Sequence, residues 1–466
     1  MIVEFFEIKA LHGLIDAELT FRPDLNIIVG RNGSGKTSVL SMLSSVIRLD
    51  IGSIKAMSFD SLRMSLDSGT QGKILIEAAN SESSSYISIA WAGVGNVKFP
   101  LIDPDIFIRT SARMGLKSSP SSAMGVAGDR PTFELYQQWS QISSAFLRLA
   151  KLTFVRLDRT IVAMDADGIE AAEVTLNARE RSKSAPASRD PIDEVLRVTQ
   201  ANYFDYRRKL AAIRADAYRE LMRLHFSPVK SPGSRTNSGL LKKKVAELRT
   251  RVNSSSLTSD MQEITTTFFE SLEKLLKQTE NPSAGRVGRK TLAEESIQLM
   301  LELKERQTED LLNIFEREQR LTTEAWEPIK KYLDTLGRFL SESGKKLWFS
   351  DESLHLSFYI PEAGESEEGV GRSLKDLSSG ERQILIVLTY LAFMSGPNSV
   401  FIIDEPELSL HLRWQAYLIE ALKVLRPSGG QIILATHAPE IAGRAREYCQ
   451  QLSQKYLPSV GDRNEK

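Results

Sequence analysis

"LNIIVGRNGSGKTSVLSMLSSVI", Leu25 to Ile47, joins a mostly apolar run to a loop with glycines at 30, 33 and 35 and then to a segment with apolar residues at helical spacing, Val39, Leu40, Leu43, Val46 and Ile47. The spacing predicts a strand, a tight loop and a helix. From Gly30 to Thr37 the chain fits G-x-x-x-x-G-K-[ST] in the context that pattern requires. Across Gly30, Arg31, Asn32, Gly33, Ser34, Gly35, Lys36, Thr37 and Ser38, the glycines free backbone NH groups to wrap phosphates. Lys36 can reach the outer phosphates as a point charge, and Thr37 can offer its hydroxyl to magnesium. The bland alternative is a glycine-rich turn that happens to precede Lys and Thr, and the flanking strand and helix count against it.

The chain has 466 residues, enough for two or three units or for one domain inserted in another. Lys plus Arg equals Asp plus Glu at 60 each, so no overall field attracts nucleic acid or membrane, though local asymmetry could still act. One cysteine, Cys449, excludes an internal disulfide framework and a cysteine zinc site, and fits a reducing compartment. No uncharged stretch approaches the ~20 residues of a membrane span. The start "MIVEFFEIKA" also lacks a basic segment ahead of an apolar one. A cytoplasmic protein without membrane contact is expected.

Three later stretches carry chemistry. "LSSGERQ", Leu377 to Gln383, reads as a helix start with Ser378, Ser379, Gly380 and Glu381, and the unpartnered NH groups of a first turn suit an anion. "SVFIIDEPELSLH", Ser399 to His411, is an unbroken apolar run ending in two carboxylates, as a parallel strand covered on both faces would be. Asp404 suits a magnesium ligand and Glu405 a general base that polarises water; a strand with an acidic turn is the plain alternative. "QIILATHAPE", Gln431 to Glu440, is a further buried-looking strand that ends at Thr436 and His437.

Taken in order, "GRNGSGKT", "LSSGERQ", "FIIDEPELSLH" and "ILATHAP" resemble the Walker A, signature, Walker B with D-loop, and histidine switch of the ABC-type ATPases. That resemblance implies an α/β P-loop ATPase head, discontinuous in sequence, that hydrolyses ATP with Mg2+. It implies Lys36, Glu405 and His437 as catalytic residues and Thr37 with Asp404 at the metal. It also implies that Ser379 and Gly380 complete the ATP site of a second copy in a head-to-tail sandwich, with higher homo-oligomers beyond the dimer.

Lys36 and Asp404 stand about 370 positions apart, unlike transporter subunits, and the N-terminal strands resemble the RecF, SMC and OLD-like branch. The chain has neither sustained SMC arms nor a Cys-x-x-Cys hook. Among known systems it resembles the ATPase subunits of the PARIS (AriA) and Septu (PtuA) anti-phage defences. The glutamine that such families place between Walker A and signature has only Gln71 as a candidate, and His12 is a guess for the adenine.

The expected organisation is a head at 1–165, a helical, coiled-coil-like insertion at 166–345 and the rest of the head at 346–466. Asp190-Pro191 should open a helix to about His225, and Ser259 with Gln262 should cap a second. A third, from about Lys290 to Lys346, carries Trp326, Ile329, Leu333, Leu336 and Leu340 as a seam for higher assembly, with Pro328 kinking or restarting it. "KKLWFSDESLHLSFYI" reads as a hairpin. Arg189 to Lys290 holds 20 Lys or Arg against 12 Asp or Glu, so contact with DNA is left open beside a solvated face. With 29 residues after His437 and no metal-ligand spacing among the five histidines, an effector in trans, a nuclease or toxin, is expected. The rival reading is a RecF-like repair or replication ATPase that clamps DNA.

Overall fold

The computed structural model describes residues 1–69, 72–81, 84–92, 94–101, 130–149, 151–155, 161–164, 170–174, 190–226, 292–351, 353–361 and 371–452, with isolated helical positions between 243 and 270. They form two compact units, 1–203 with 329–466, and 204–328.

The first unit is built on two sheets. Strands β1 (Ile2–Leu11) and β2 (Ile15–Thr20) form a hairpin. Strand β3 (Leu25–Val29) feeds the glycine loop and helix α1 (Lys36–Ile47). After α2 (Ile51–Ala56), strands β4 (Phe59–Asp67), β5 (Lys73–Ser81), β6 (Ser84–Trp91) and β7 (Gly95–Pro100) complete a six-stranded antiparallel sheet in the order β2-β1-β4-β5-β6-β7. Its inward residues include Phe6, Ile8, Met64, Leu66, Ile76 and Ile89, and they share one core with Val39, Leu40 and Leu43 of α1. Helix α3 (Arg130–Leu149), not anticipated from the sequence, buries Trp139 and Phe146 there, with Trp139 stacked on Phe99 at 5.0 Å.

The second sheet positions the site. It takes β8 (Leu152–Val155), β9 (Ile161–Met164) and β10 (Glu170–Val174) from the first half of the chain. From the second half come β13 (Val400–Asp404), β14 (Gln431–Thr436) and β15 (Cys449–Gln451), reached after hairpin β11 (Lys346–Phe349) and β12 (Leu356–Tyr359). The order is β10-β9-β8-β13-β14-β3-β15, parallel from β8 to β15 and antiparallel at the β9 and β10 edge. Every residue of β13 and β14 is buried, because helices and the other sheet cover both faces. Gln431, wholly buried, accepts from the Val3 NH and donates to the carbonyls of Val3 and Arg22, tying the start of β14 to the N-terminal half. This is the discontinuous α/β head expected from the motifs.

Helices α4 (Pro191–Phe226) and α5 (Leu292–Leu340) carry the chain out of the first unit and back. Asp190 caps α4 through the Ile192 NH at 3.0 Å. In the second unit Tyr206 meets Trp326 at 5.1 Å between centroids and Arg317 pairs with Glu220 at 2.7 Å. As numbers rise along one helix they fall along the other, so the pair runs antiparallel. Helix α5 continues through Pro328 as one 49-residue element rather than restarting there. The proposed caps Ser259 and Gln262 lie outside the described residues. The compact units divide at 203/204 and 328/329, inside these helices, where the sequence reading set the insertion at 166–345.

The assembly seam needs correction. From Ile329 onward it belongs to the first unit, and Tyr332 and Phe339, which the heptad reading passed over, decide its use. Tyr332 packs on Phe393 at 4.7 Å and its hydroxyl meets Thr389 Oγ1 at 2.7 Å. Phe339 lies against Trp414 and Tyr417 on helix α7 (Leu412–Leu425). Ile329, Leu336 and Leu340 are buried in the same face, so this surface is spent inside the unit and not left for other copies. Phe339→Ala should cost about 3–5 kcal/mol in denaturant unfolding, against less than about 1 kcal/mol for Phe204→Ala at an exposed position.

Candidate functional site

The phosphate loop closes tightly around its own lysine. Gly33 and Gly35 have φ of 78° and 90°, and a Cβ on Gly35 would fall 2.2 Å from Ile15 Cδ1 in the β1–β2 hairpin. Glycine is required there by backbone and by space alike. Lys36 is buried, and its Nζ donates to the carbonyls of Gly30 at 2.9 Å and Arg31 at 3.2 Å. Arg31, Asn32 and Gly33 are exposed at the loop's outer rim, Thr37 and Ser38 half-buried. Ser34 is buried with no partner for its hydroxyl among the described residues.

Register brings the distant residues to this loop. Thr436 pairs with Val29, and Asp404 with Ala435, so β3, β14 and β13 end at one level. Gly30, Asp404 and His437 therefore share the carboxyl edge of the parallel sheet, where ligands of such sheets bind. Asp404 is 3% exposed, and neither carboxylate oxygen has a hydrogen-bond partner among the described residues. Burial is the largest influence and pushes its pKa up to about 6, helped by Glu405 and Glu407. The Thr37 hydroxyl and the Lys36 charge pull the other way without offsetting it. Glu405 follows with a φ of 47°, a left-handed backbone that is uncommon for a residue with a side chain, and its NH is fixed on Ala435 O at 2.9 Å.

Sequence reasoning missed Glu407. Its Oε1 accepts from the Thr436 hydroxyl at 2.6 Å and the His437 NH at 2.9 Å, and lies 3.1 Å from His437 Nδ1. This buried carboxylate fastens the turn after β13 to the end of β14. The signal was the third acid of "DEPE" at 404–407, hidden because its partners lie about thirty positions away.

The signature residues sit elsewhere in the unit, on helix α6 (Ser379–Thr389). Ser378 caps it in a reciprocal pair with Glu381. Glu381 accepts from Lys345 Nζ at 2.7 Å and from the Ser343 hydroxyl at 2.8 Å. Burial alone would raise the Glu381 carboxyl, but Lys345, the Ser378 NH and Ser343 outweigh it and hold it below its usual value. Its carboxylate is thus committed within the chain, while Ser378 and Ser379 are exposed. Gly380 is needed because a Cβ would approach Ser409 O to 2.7 Å. His12 lies exposed at the β1–β2 turn with a φ of 54°, and Gln71 is outside the described residues.

A family model described as "AAA domain, putative AbiEii toxin, Type IV TA system" matches residues 197–442, more than half of the chain. The chain belongs to this AAA family. The match runs from α4 through the signature, Asp404, Glu405 and His437 to helix α8 (Pro439–Arg444). A search of curated proteins gives no match. Among solved structures, the chain is similar to an Smc head domain with an extended coiled coil, bound to the C-terminal domain of ScpA, from Pyrococcus furiosus. Identity is 12%, coverage 97% of this chain and 96% of that one, and the TM-score 0.35. An Smc head domain with a coiled coil and joint from Pyrococcus yayanosii gives 13%, 95% and 93%, and 0.32. The recombination mediator RecF-ATPrS of the RecFOR pathway gives 11%, 97% and 96%, and 0.33. Among the described residues, no helix is long and apolar enough to cross a membrane.

The raised Asp404 pKa has a definite sign. A carboxyl easier to protonate folded than unfolded destabilises the native state once ionised, so stability is lost as pH rises from about 4 to about 6. The gap between 3.8 and about 6 corresponds to about 3 kcal/mol. Asp404→Asn should stabilise the nucleotide-free protein by up to that amount at pH 7.5, and by much less near pH 4. Chemical denaturation at both pH values checks it.

Proposed function

We propose that this chain is an ATP-binding and ATP-hydrolysing sensor or scaffold subunit of a bacterial anti-phage defence complex, controlling a nuclease or toxin supplied in trans. The observation that carries the ATPase part is the meeting of a glycine-wrapped Lys36, a buried unpartnered Asp404, a Glu405 in strained backbone and His437 at one sheet edge. The defence part is supported by a family description that names a toxin of a type IV toxin–antitoxin system.

Each residue has a role in this reading. The backbone from Gly30 to Ser38 wraps the phosphates, and Lys36 exchanges the carbonyls of Gly30 and Arg31 for phosphate oxygens. Thr37 and Asp404 would hold Mg2+; a buried carboxylate with both oxygens unpartnered, beside a hydroxyl, fits a hard cation. Magnesium, when bound, supplies charge neutralisation at the phosphate oxygens. Glu405 accepts a proton from the attacking water, and His437 stands beside it. Ser378, Ser379 and Gly380 offer the NH-rich start of α6 to the ATP of a second copy in a head-to-tail sandwich, with Glu381 holding that turn in shape. A higher homo-oligomer and direct DNA contact belong to the same proposal.

Glu405→Gln should retain ATP and lose hydrolysis, whereas Lys36→Ala should lose nucleotide, by filter binding and phosphate release. Full hydrolysis by purified Glu405→Gln removes Glu405 as the base. For the sandwich, Lys36→Ala and Ser379→Arg chains, each inactive, should regain activity at one of two sites when mixed. No rescue in verified mixed dimers argues against shared sites. For the effector, nucleic-acid cleavage and cell toxicity should need the neighbouring gene product and vanish with Lys36→Ala. Turnover stimulated by DNA ends or gaps, with no such partner dependence, would favour the DNA-clamp reading.

A further inference from the structure

His437 stands between two carboxylates. Its Nδ1 lies 3.1 Å from Glu407 Oε1 and 3.7 Å from Glu405 Oε1. The first is a hydrogen-bond distance and the second is not. The two acids are also unequal in freedom. Glu407 has a side chain 3% exposed, and its Oε1 accepts from the Thr436 hydroxyl and the His437 NH, so turning it would strip two donors at once. The Glu405 side chain is 16% exposed and lies 3.7 Å from the ring, beyond hydrogen-bond reach. A carboxylate only accepts, so at 3.1 Å an Nδ1 lone pair would repel Glu407 Oε1, and the contact favours the proton on Nδ1. A neutral imidazole has one such proton. Given to Glu407, it is withheld from Glu405, and Nε2 is left as the ring's acceptor.

We propose that Glu407 is the positioning residue of the site: it captures the Nδ1–H of His437, fixes the imidazole's tautomer and orientation, and so keeps the Glu405 carboxylate free to accept a proton from water. This rests on the ATPase reading above, with Glu405 as the base. Glu407 touches no substrate and acts through His437. Without it, the Nδ1 proton loses its acceptor, the ring reverts toward the Nε2–H form that a free neutral imidazole favours, and it is free to turn that N–H onto Glu405 and occupy the base.

The test pairs turnover with a measurement that needs no nucleotide. Glu407→Ala should lower kcat by about 10-fold or more while leaving KM for ATP nearly unchanged. Glu407→Gln, whose amide oxygen can still accept from Nδ1, Thr436 and the His437 NH, should recover most of the loss and guards against a variant that simply fails to fold. In a His437→Ala background, Glu407→Ala should add little further loss. In protein labelled with 15N-histidine at pH 8, the His437 ring, assigned by its disappearance in His437→Gln, should carry its proton on Nδ1 in the wild type and in Glu407→Gln. It should shift to the Nε2–H form in Glu407→Ala. An Nε2–H ring in the wild type, or an equal Glu407→Ala loss with and without His437, overturns the proposal. Absent wild-type turnover counts instead against the ATPase reading, and the imidazole spectrum still decides whether Glu407 holds His437.

Discussion

The pairing of β14 with β3 on one side and β13 on the other is the constraint on which the site depends. The three strands come from positions about 400 residues apart at the extremes, yet Thr436 faces Val29 and Asp404 faces Ala435. A slip of one residue in either pair would reverse which side chains face which layer and displace the carboxyl ends relative to one another. Two features hold the register. Both later strands are apolar throughout and buried on both faces, and Gln431 satisfies main-chain groups of Val3 and Arg22 from a wholly buried position. The long excursion between the halves costs little by itself, because closure entropy grows only with the logarithm of loop length, about 0.6 kcal/mol per doubling. A second compact unit can therefore sit between halves of the first without weakening their sheet.

Within that edge, two buried acids meet opposite fates, and the difference is informative. Glu407 and Asp404 are comparably buried, at 5% and 3% exposure. Glu407 gathers two hydrogen bonds and the nearby imidazole of His437 on its Oε1, while its Oε2 is buried without a partner among the described residues. Asp404 gathers none, and desolvation dominates its pKa. An uncompensated buried carboxylate is costly in a protein selected for stability alone, and such groups concentrate where a ligand completes them. Lys36 is the complement: a buried cation held by neutral carbonyls, with no carboxylate hydrogen-bonded to it among the described residues.

The head was legible in the sequence wherever the signal was local. The glycine loop, the capping Ser378 with Glu381, and the apolar runs at Val400 to Ile403 and Ile432 to Ala435 announce their elements through neighbours in the chain. Features set by distant partners were not. Glu407 looks like one more acid in a turn until Thr436 and His437 are placed beside it. The seam along α5 obeys heptad spacing, but heptad spacing cannot distinguish a partner helix from α6 and α7 of the same chain; Tyr332 and Phe339 make that choice through Thr389, Trp414 and Tyr417. Of the two outcomes expected at Pro328, a restart is excluded because α5 runs through it as one element.

The start of α6 shows how such a chain can present donors to a ligand it does not itself hold. A helix's first NH groups are useful to an anion only if the turn bearing them is already in shape, because ordering it on binding would consume affinity. Here the shape is fixed from behind. Glu381 closes the cap on the Ser378 NH and is itself held by Lys345 and Ser343, in the turn that directly follows α5. On the other side Gly380 lets the Ser409 carbonyl approach so closely that any side chain would force it away. Of the two exposed residues of the turn, Ser378 is the cap itself, and Ser379 is the one whose side chain has no duty in that cap. Substitution there should leave the helix start intact while blocking what approaches it, which is the property that makes Ser379→Arg a probe of a neighbouring copy's site rather than of this unit's folding.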